Sequence, residues 1–356
     1  MIRTPPLKIP RINVTLDMSV EDLPATDMTV HELAHPHDLL VRFMLADPEL
    51  TASLLTNYVE SRTVQLLDLT QLRCESPINV DKNLTEIIGD LRFSTVFKNS
   101  QRQSNVFVFL AHQSTVDDLM SFRALEEVVK SYRQYIDTLK QKGAGRPKSF
   151  PYPVVVLLYH GKKPWGKLKR MREMIEGDPE LAKDFLDIPI FLIDLSLIPP
   201  EQLKGHPALL ALLETLQLGS TGKLAAGFDR VTSRLTAVRN DPRATGWMTA
   251  LVKYAVSLCR IGQEVIYNAF SKILNEKEAQ KMVMSTAQEW LLAGEAKGEL
   301  KGEKRTILRF LEGRFGKVPK SISNAVNSYS DSTALDSLSV LAGSCKSLDE
   351  FKEGLR

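Results

Sequence analysis

The sequence lacks any long uncharged apolar run. Its longest runs, such as Val106–Leu110 and Val154–Tyr159, are far shorter than the roughly 20 residues that a membrane-spanning helix needs. The first residues carry prolines instead of an apolar segment, so they do not have the pattern of a signal peptide. We therefore expect a cytoplasmic protein with no membrane partner.

Cysteine is also scarce. The three cysteines, Cys74, Cys259 and Cys345, are scattered along the chain without paired spacing. A disulfide framework and a structural zinc site both need clustered or regularly spaced ligands. The cysteine pattern argues against both classes and suits a reducing compartment.

The net charge of +3 is small, but it is unevenly distributed. Between Lys98 and Arg172 the sequence carries fifteen Lys and Arg residues against five Asp and Glu residues. Such an excess predicts a surface that faces phosphate groups, although a solvated basic helix face with flexible loops explains it equally well.

The length of 356 residues and a hydrophobic content of 43% predict a substantial core and more than one domain. The pattern begins with helices interrupted by Pro36 and Pro48, and Asp47 is expected to cap the second of them. The short run 63–69 suggests a strand. Counted from these first helices and including the strand at 63–69, the order of helix, three strands, helix and strand is typical of an α/β domain with a mixed sheet. We divide the chain into an N-terminal arm (1–30), an α/β core (31–204), a helical segment packed on that core (205–276), and a charged helix with a small helical region (277–356).

The C-terminal region is mainly helical and strongly charged. Glycines recur every four residues at Gly294, Gly298 and Gly302, and Gly316 is expected to end the long helix. Because each glycine weakens a helix by about 1 kcal/mol relative to alanine, we expect this helix to be frayed or stabilised by a partner. A homo-oligomer that forms through the C-terminal helices is a separate expectation.

The stretch from Glu86 to Arg123 organises the rest of the chain. Two apolar runs separated by a polar turn predict a pair of strands, followed by an amphipathic helix over 117–141. Asp90 lies near the start of the first strand, and Ala111, His112 and Gln113 lie near the end of the second. This arrangement places a carboxylate opposite a polar cluster, as required to hold a divalent metal against a phosphate.

Nucleases with a PD-(D/E)xK motif supply two carboxylates at a strand bend and a Lys or Gln two residues after the second. Here Asp90 fits the first carboxylate and Gln113 the water-positioning residue, whereas Ala111 stands where the second carboxylate belongs. Spacing of this kind is weak evidence by itself, because aspartates often open strands.

Several further motifs occur in a consistent order. They are His37-Asp38, Asp68-Leu69, Asp90-Leu91, His112-Gln113-Ser114, Met120 with Phe122 and Arg123, Tyr159-x-Gly161-x-x-Pro164-Trp165, and Asp194-Leu195. With them, the chain resembles the recombination-promoting nuclease family, also described as putative transposases, within the PD-(D/E)xK superfamily. The resemblance covers about residues 31–220.

The resemblance implies a restriction-endonuclease-like core that cleaves double-stranded DNA with Mg²⁺ or Mn²⁺. It assigns Asp90 as a metal ligand, Gln113 as the counterpart of the superfamily lysine, and Asp38 as an accessory carboxylate. Arg123, Lys162 and Lys163 are the candidate DNA contacts.

Ala111 departs from the Glu-His-Gln-Ser pattern of the family. Because alanine offers no oxygen, its presence should weaken Mg²⁺ binding severely. The chain is then catalytically dead, was altered deliberately, or uses another carboxylate, for which the nearby candidates are Asp117, Asp118 and Glu126.

Structural roles compete with each functional one. Asp90 could cap a turn, Gln113 could bond to the backbone, and His112, which points away from Gln113, could be a core histidine. His37-Asp38 could begin a helix, and Trp165 is expected to anchor its turn. Arg123 could pair with Glu126 or Glu127 instead of contacting DNA.

Three functions remain open. The first is a DNA endonuclease impaired by Ala111. The second is an inactive DNA-binding or regulatory protein that self-associates through its C-terminal helices. The third, least favoured because Pro36 interrupts the helix, is a different metalloenzyme that uses His31, His35, His37 and Asp38.

Overall fold

The computed structural model describes residues 36–75, 91–98, 105–184, 186–259, 261–329 and 331–355. These residues form a five-stranded sheet covered by helices on both faces. Within them, no helix combines the length and the apolar character needed to cross a membrane.

The sheet is mixed and its strands are ordered as they occur in the chain. The strands are β1 (Arg73–Cys74), β2 (Leu91–Val96), β3 (Asn105–Gln113), β4 (Tyr152–Tyr159) and β5 (Ile190–Asp194). The strands β1, β2 and β3 pair antiparallel, whereas β3, β4 and β5 pair parallel. The predicted mixed α/β arrangement is therefore confirmed.

Helices surround this sheet and form the C-terminal part of the chain. They are α1 (Pro36–Leu45), α2 (Pro48–Tyr58), α3 (Arg62–Gln65), α4 (Met120–Gln141), α5 (Pro179–Ala182), α6 (Pro207–Thr221), α7 (Leu224–Ser233), α8 (Ala244–Cys259), α9 (Gln263–Phe270), α10 (Glu276–Phe315), α11 (Lys320–Ser328), α12 (Ser332–Ser344) and α13 (Leu348–Glu353). Short 3-10 turns lie at Leu69–Gln71, Met171–Met174, Leu195–Leu197, Pro200–Gln202 and Arg234–Val238.

Alternation along β3 and β4 divides the sheet into two faces. Val108, Leu110 and Leu158 belong to the main core, which they share with α1, α2, α6 and α8. The intervening residues Phe109 and Val155 pack instead against α4. The two faces therefore meet different helices, and neighbouring residues on one strand reach different surroundings.

A second, smaller hydrophobic core lies in the C-terminal part of the chain. It joins Ile307 and Leu311 of α10 to α11, α12 and α13, where Val326 and Phe351 are fully buried. The beginning of α10 contributes to the main core through Ala279. The long helix thus supplies side chains to two separate cores.

The prediction of a strand at 63–69 is wrong. Ser61 caps α3, since its hydroxyl accepts a hydrogen bond from the Thr63 amide. Leu67 retains one isolated bridge to Phe97. Val64 lies in this short helix and is buried in the main core. The apolar residues of this run are therefore explained by their burial, without a strand.

Candidate active site

The carboxyl ends of β3 and β4 bring the candidate residues to one edge of the sheet. Ala111 packs in a small apolar cluster with Met120, Leu157, Tyr159 and Trp165. It is only 3% exposed. The position where a second acidic ligand was expected is therefore enclosed by apolar side chains.

Gln113 lies two residues further along β3, at the strand end. It is half-buried, and its side chain has no hydrogen bond to any residue in the described ranges. Its backbone oxygen accepts a hydrogen bond from the His160 amide at 3.0 Å. The position of Gln113 is thus fixed through its backbone bond to the turn after β4.

Asp90, the predicted metal ligand, lies outside the described residues, as do His31 and His35. The described part of β2 begins at Leu91, which pairs with Leu110 in the antiparallel register. Ala111 follows that pair directly on β3. The role of Asp90 stays a prediction.

Asp38 projects from the first turn of α1 toward the other face of the sheet. Its Oδ1 atom lies 3.2 Å from the Nε atom of Arg42 and 3.2 Å from the Nε2 atom of His112. As predicted, His112 points away from Ala111 and Gln113. The structure therefore groups Asp38 with His112, apart from the cluster around Ala111.

The other carboxylates near the strand ends are already engaged or exposed. Asp117 accepts hydrogen bonds from the Arg123 guanidinium at 2.8 Å and from the Leu119 amide at 2.9 Å. The bond from Arg123 lowers the pKa of Asp117 below its ordinary value. Asp118 and Glu126 are exposed. Within the described ranges, no group of three or more His, Cys, Asp or Glu residues is arranged to hold a metal ion.

Arg123 does not pair with Glu126 or Glu127, so that alternative is wrong. The guanidinium reaches back to Asp117, because Asp117 lies just before the start of α4 and Arg123 lies in its first turn. Arg123 remains 51% exposed. Lys162 and Lys163, in the turn after β4, are exposed and form no ion pair with a described residue.

The motif after β4 is a tightly packed turn. The Tyr159 hydroxyl donates a hydrogen bond to the Lys163 carbonyl at 2.8 Å, and its ring meets Trp165 edge-on at 5.0 Å. Gly161 lies so close to the Tyr159 ring that a side chain there would overlap it. Asp194 accepts the Trp165 amide hydrogen bond at 2.8 Å. The expectation that Trp165 anchors its turn is confirmed.

Three histidines meet on the face of the sheet that carries Asp38. The ring centroid of His160 lies 4.7 Å from that of His37 and 6.2 Å from that of His112. The Tyr254 hydroxyl lies 2.8 Å from Nδ1 of His37. Burial lowers the pKa of His112 to about 4 and that of His160 to about 3, and it also lowers the pKa of His37. All three imidazoles are therefore neutral at pH 7.

The sequence reasoning did not find His160 or Tyr254. His160 lies within the turn motif, between Tyr159 and Gly161, so its position was a usable signal. Tyr254 lies 217 residues from His37 along the chain, and nothing local marks it.

The sequence of this chain is similar to a known protein family and to several named proteins. A family model described as "Putative transposase, YhgA-like" matches residues 35–244, more than half of the chain. The recombination-promoting nuclease RpnD of Escherichia coli O157:H7 is 26% identical over 270 residues, covering 73% of this chain and 96% of that protein.

Two relatives from Escherichia coli strain K12 match over shorter regions. The recombination-promoting nuclease RpnA is 27% identical over 191 residues, 53% of this chain and 62% of the relative. The inactive recombination-promoting nuclease-like protein RpnE is 25% identical over 210 residues, 58% of this chain and 67% of the relative. No solved structure matches the chain.

Proposed function

Because the chain belongs to the YhgA-like putative transposase family, we propose that it is a DNA endonuclease of the recombination-promoting type whose catalytic centre is impaired by Ala111. The proposed core is restriction-endonuclease-like, with β2 and β3 as its central strand pair. The proposal draws on relatives named as recombination-promoting nucleases, one of which is named inactive.

The observation that carries the proposal is the surroundings of Ala111. A methyl group, 3% exposed and enclosed by apolar neighbours, stands at the strand position of the expected acid. Mg²⁺ requires several oxygen ligands in near-octahedral geometry. Gln113 offers one amide oxygen and Ala111 offers none, so the described residues do not fit a Mg²⁺ site.

Restoring the acid provides the test. In Ala111→Glu, the new carboxylate would have to displace neighbours such as Met120, which should lower the free energy of unfolding by roughly 1–3 kcal/mol. Without a cation, burial would keep that carboxyl protonated. Added Mn²⁺ should therefore raise the melting temperature of Ala111→Glu, and it should not do so for the matched control Ala111→Gln.

The activity assay uses supercoiled plasmid with Mg²⁺ or Mn²⁺. We expect weak or absent nicking by the unaltered chain, a gain in Ala111→Glu, and loss of that gain in Ala111→Glu combined with Asp90→Ala. Ala111→Gln should stay inactive. If Ala111→Glu is folded and binds DNA but remains inert with both metals, the nuclease assignment is wrong.

DNA affinity should depend on the basic residues near the strand ends. Lys162 and Lys163 are exposed, and Arg123 is half-exposed beside Asp117. Each phosphate contact releases counterions, so the affinity should fall steeply as the salt concentration rises. Lys163→Glu should weaken binding and reduce that salt dependence. An affinity that does not change with salt would contradict DNA binding through these cations.

The alternative function is an inactive DNA-binding or regulatory protein that self-associates through its C-terminal helices. The observation in its favour is that Cβ atoms added at Gly298 and Gly302 would meet no atom of the described residues within 4 Å, which leaves room for a partner helix beside these glycines. Light scattering of the full chain should then show an oligomer, and Gly298→Leu with Gly302→Leu should shift it toward the monomer. An unchanged mass would contradict association through these glycines.

A further inference from the structure

A cavity of about 440 Å³ lies at the carboxyl ends of the parallel strands β4 and β5. It opens to solvent and is lined by the turn after β4, the segment 195–200 after β5, and the C-terminal part of α6. Its volume falls within the roughly 300–1,000 Å³ of small-molecule sites. In open α/β sheets, ligands bind at this end of the strands.

Two side chains that line the cavity carry buried polar atoms without partners. His160 is 1% exposed, and neither of its ring nitrogens has a hydrogen-bond partner in the described part of the chain. The same holds for Oε1 of Gln217. An unpaired buried polar atom costs about 1–3 kcal/mol, so native proteins retain few of them. Two residues that line one cavity therefore carry unmet hydrogen-bonding capacity, which a polar ligand would satisfy.

The orientation of the Gln217 amide is fixed by its own contacts. Its Nε2 atom donates hydrogen bonds to the Leu195 carbonyl at 2.8 Å and to the Ile198 carbonyl at 2.6 Å. Exchanging the oxygen and nitrogen would set an acceptor against two carbonyl oxygens. Oε1 is therefore the unpaired atom, and it requires an N–H or O–H donor.

The charges at the cavity favour a dianion. Lys162 and Lys223 are exposed and have no ion pair with a described residue. Arg230 also lines the cavity, but it is paired with the buried carboxylate of Glu214. Two uncompensated ammonium groups match a phosphate monoester, which carries a charge of about −1.5 to −2 at neutral pH.

The remaining wall is apolar. It includes Leu197, Ile198 and Pro199, and Leu197 is 65% exposed although it is a large hydrophobic residue. Inorganic phosphate would leave this apolar wall without contacts. A planar base offers both an apolar face to the wall and N–H donors at its edge.

We propose that this cavity binds a nucleoside monophosphate, with the phosphate at Lys162 and Lys223 and the base beside Gln217 and His160. The ligand could be a free nucleotide or the 5′-terminal nucleotide of a DNA strand, which share this chemistry. The proposal does not rest on the nuclease assignment, because neither Ala111 nor Gln113 lines the cavity.

Calorimetric titration of the full chain with dAMP, deoxyadenosine and inorganic phosphate tests the proposal. dAMP should bind about tenfold or more tightly than either fragment, since it alone uses both halves of the site. Lys162→Glu and Lys223→Glu should each weaken dAMP binding by about tenfold. Lys317→Glu, a charge reversal of an exposed lysine far along the chain, should leave it unchanged.

Competition identifies the source of the nucleotide. A 5′-phosphorylated oligonucleotide that displaces dAMP indicates a strand end, and one that does not indicates a free nucleotide. Absence of dAMP binding at millimolar concentration would overturn the proposal. So would equal affinity for dAMP and inorganic phosphate, or equal weakening by Lys317→Glu and Lys223→Glu.

Discussion

Lowering the pH from 7 to 5 should destabilise this protein through its buried histidines. Burial lowers the pKa of His112 to about 4 and that of His160 to about 3, whereas both would titrate near 6.5 in the unfolded chain. Below pH 6.5 the unfolded state therefore binds more protons than the folded state. The free energy of unfolding must then fall as the pH falls, over a window from about 6.5 down to the folded-state values.

The magnitude follows from the width of that window. Between pH 7 and pH 5, each histidine should remove about 2 kcal/mol from the free energy of unfolding, and the pair about 4 kcal/mol. The Asp38 carboxylate raises the pKa of His112 and so opposes the effect, while Arg42 and His37 reinforce it. A loss of this size is a large part of the roughly 5–15 kcal/mol that stabilises a typical domain.

The assay is urea unfolding at pH 7 and pH 5, with a variant that removes one imidazole. His160→Leu should lose about 2 kcal/mol less than the unaltered chain over this interval. Val156→Ala provides the matched control, since Val156 is a fully buried residue of β4 in the same core face. It should be less stable at both pH values but lose as much between them as the unaltered chain.

If the unaltered chain and His160→Leu lose the same free energy of unfolding between pH 7 and pH 5, His160 is not held neutral by burial. Carboxylates that protonate in this interval are present in all three proteins, so their contribution cancels in the comparison.

Three further substitutions test the packing around the strand ends, each by urea unfolding at pH 7. Gly161→Ala should lower the free energy of unfolding by about 2 kcal/mol, because the new methyl group would overlap a buried phenol ring; full stability would contradict the packing of this turn. Glu214→Gln should lower the free energy of unfolding by roughly 3 kcal/mol, since it removes the fully buried charged partner of Arg234. Unchanged stability would mean that water replaces Glu214 as the partner of the guanidinium. Asp194→Ala should lower the free energy of unfolding by about 2 kcal/mol, because it leaves the Trp165 amide unpaired, and it should shift the tryptophan emission. Unchanged emission would mean that Asp194 does not hold that turn in place.

Local signals in the sequence predicted much of the fold. Asp47 caps α2 and Pro48 occupies its first turn, as their order along the chain indicated. The continuous apolar run at 154–159 is the buried strand β4, and Gly316 ends α10 with a positive φ of 77°. These features depend on a few neighbouring residues, so the sequence alone determines them.

The failures arise where distant parts of the chain decide the outcome. The run 63–69 has the composition of a strand, but its apolar residues are buried by the main core from a helical turn. Arg123 has acidic residues at helical spacing, yet it bonds to Asp117, because a residue outside the helix can approach more closely. The three histidines come from α1, β3 and the turn after β4, so no spacing along the chain could reveal their meeting.

Alternation along β3 places Ala111 and His112 on opposite faces of the sheet. Ala111 and Gln113 face the cluster beneath α4, whereas His112 faces Asp38 and the other helices. His160 lies on the same side as His112 and lines the cavity after β4. A change at position 111 therefore alters no contact of the histidines. If Ala111 impairs DNA cleavage as proposed, the proposed nucleotide site is unaffected, and Ala111→Glu should leave dAMP affinity unchanged while altering the response to metal.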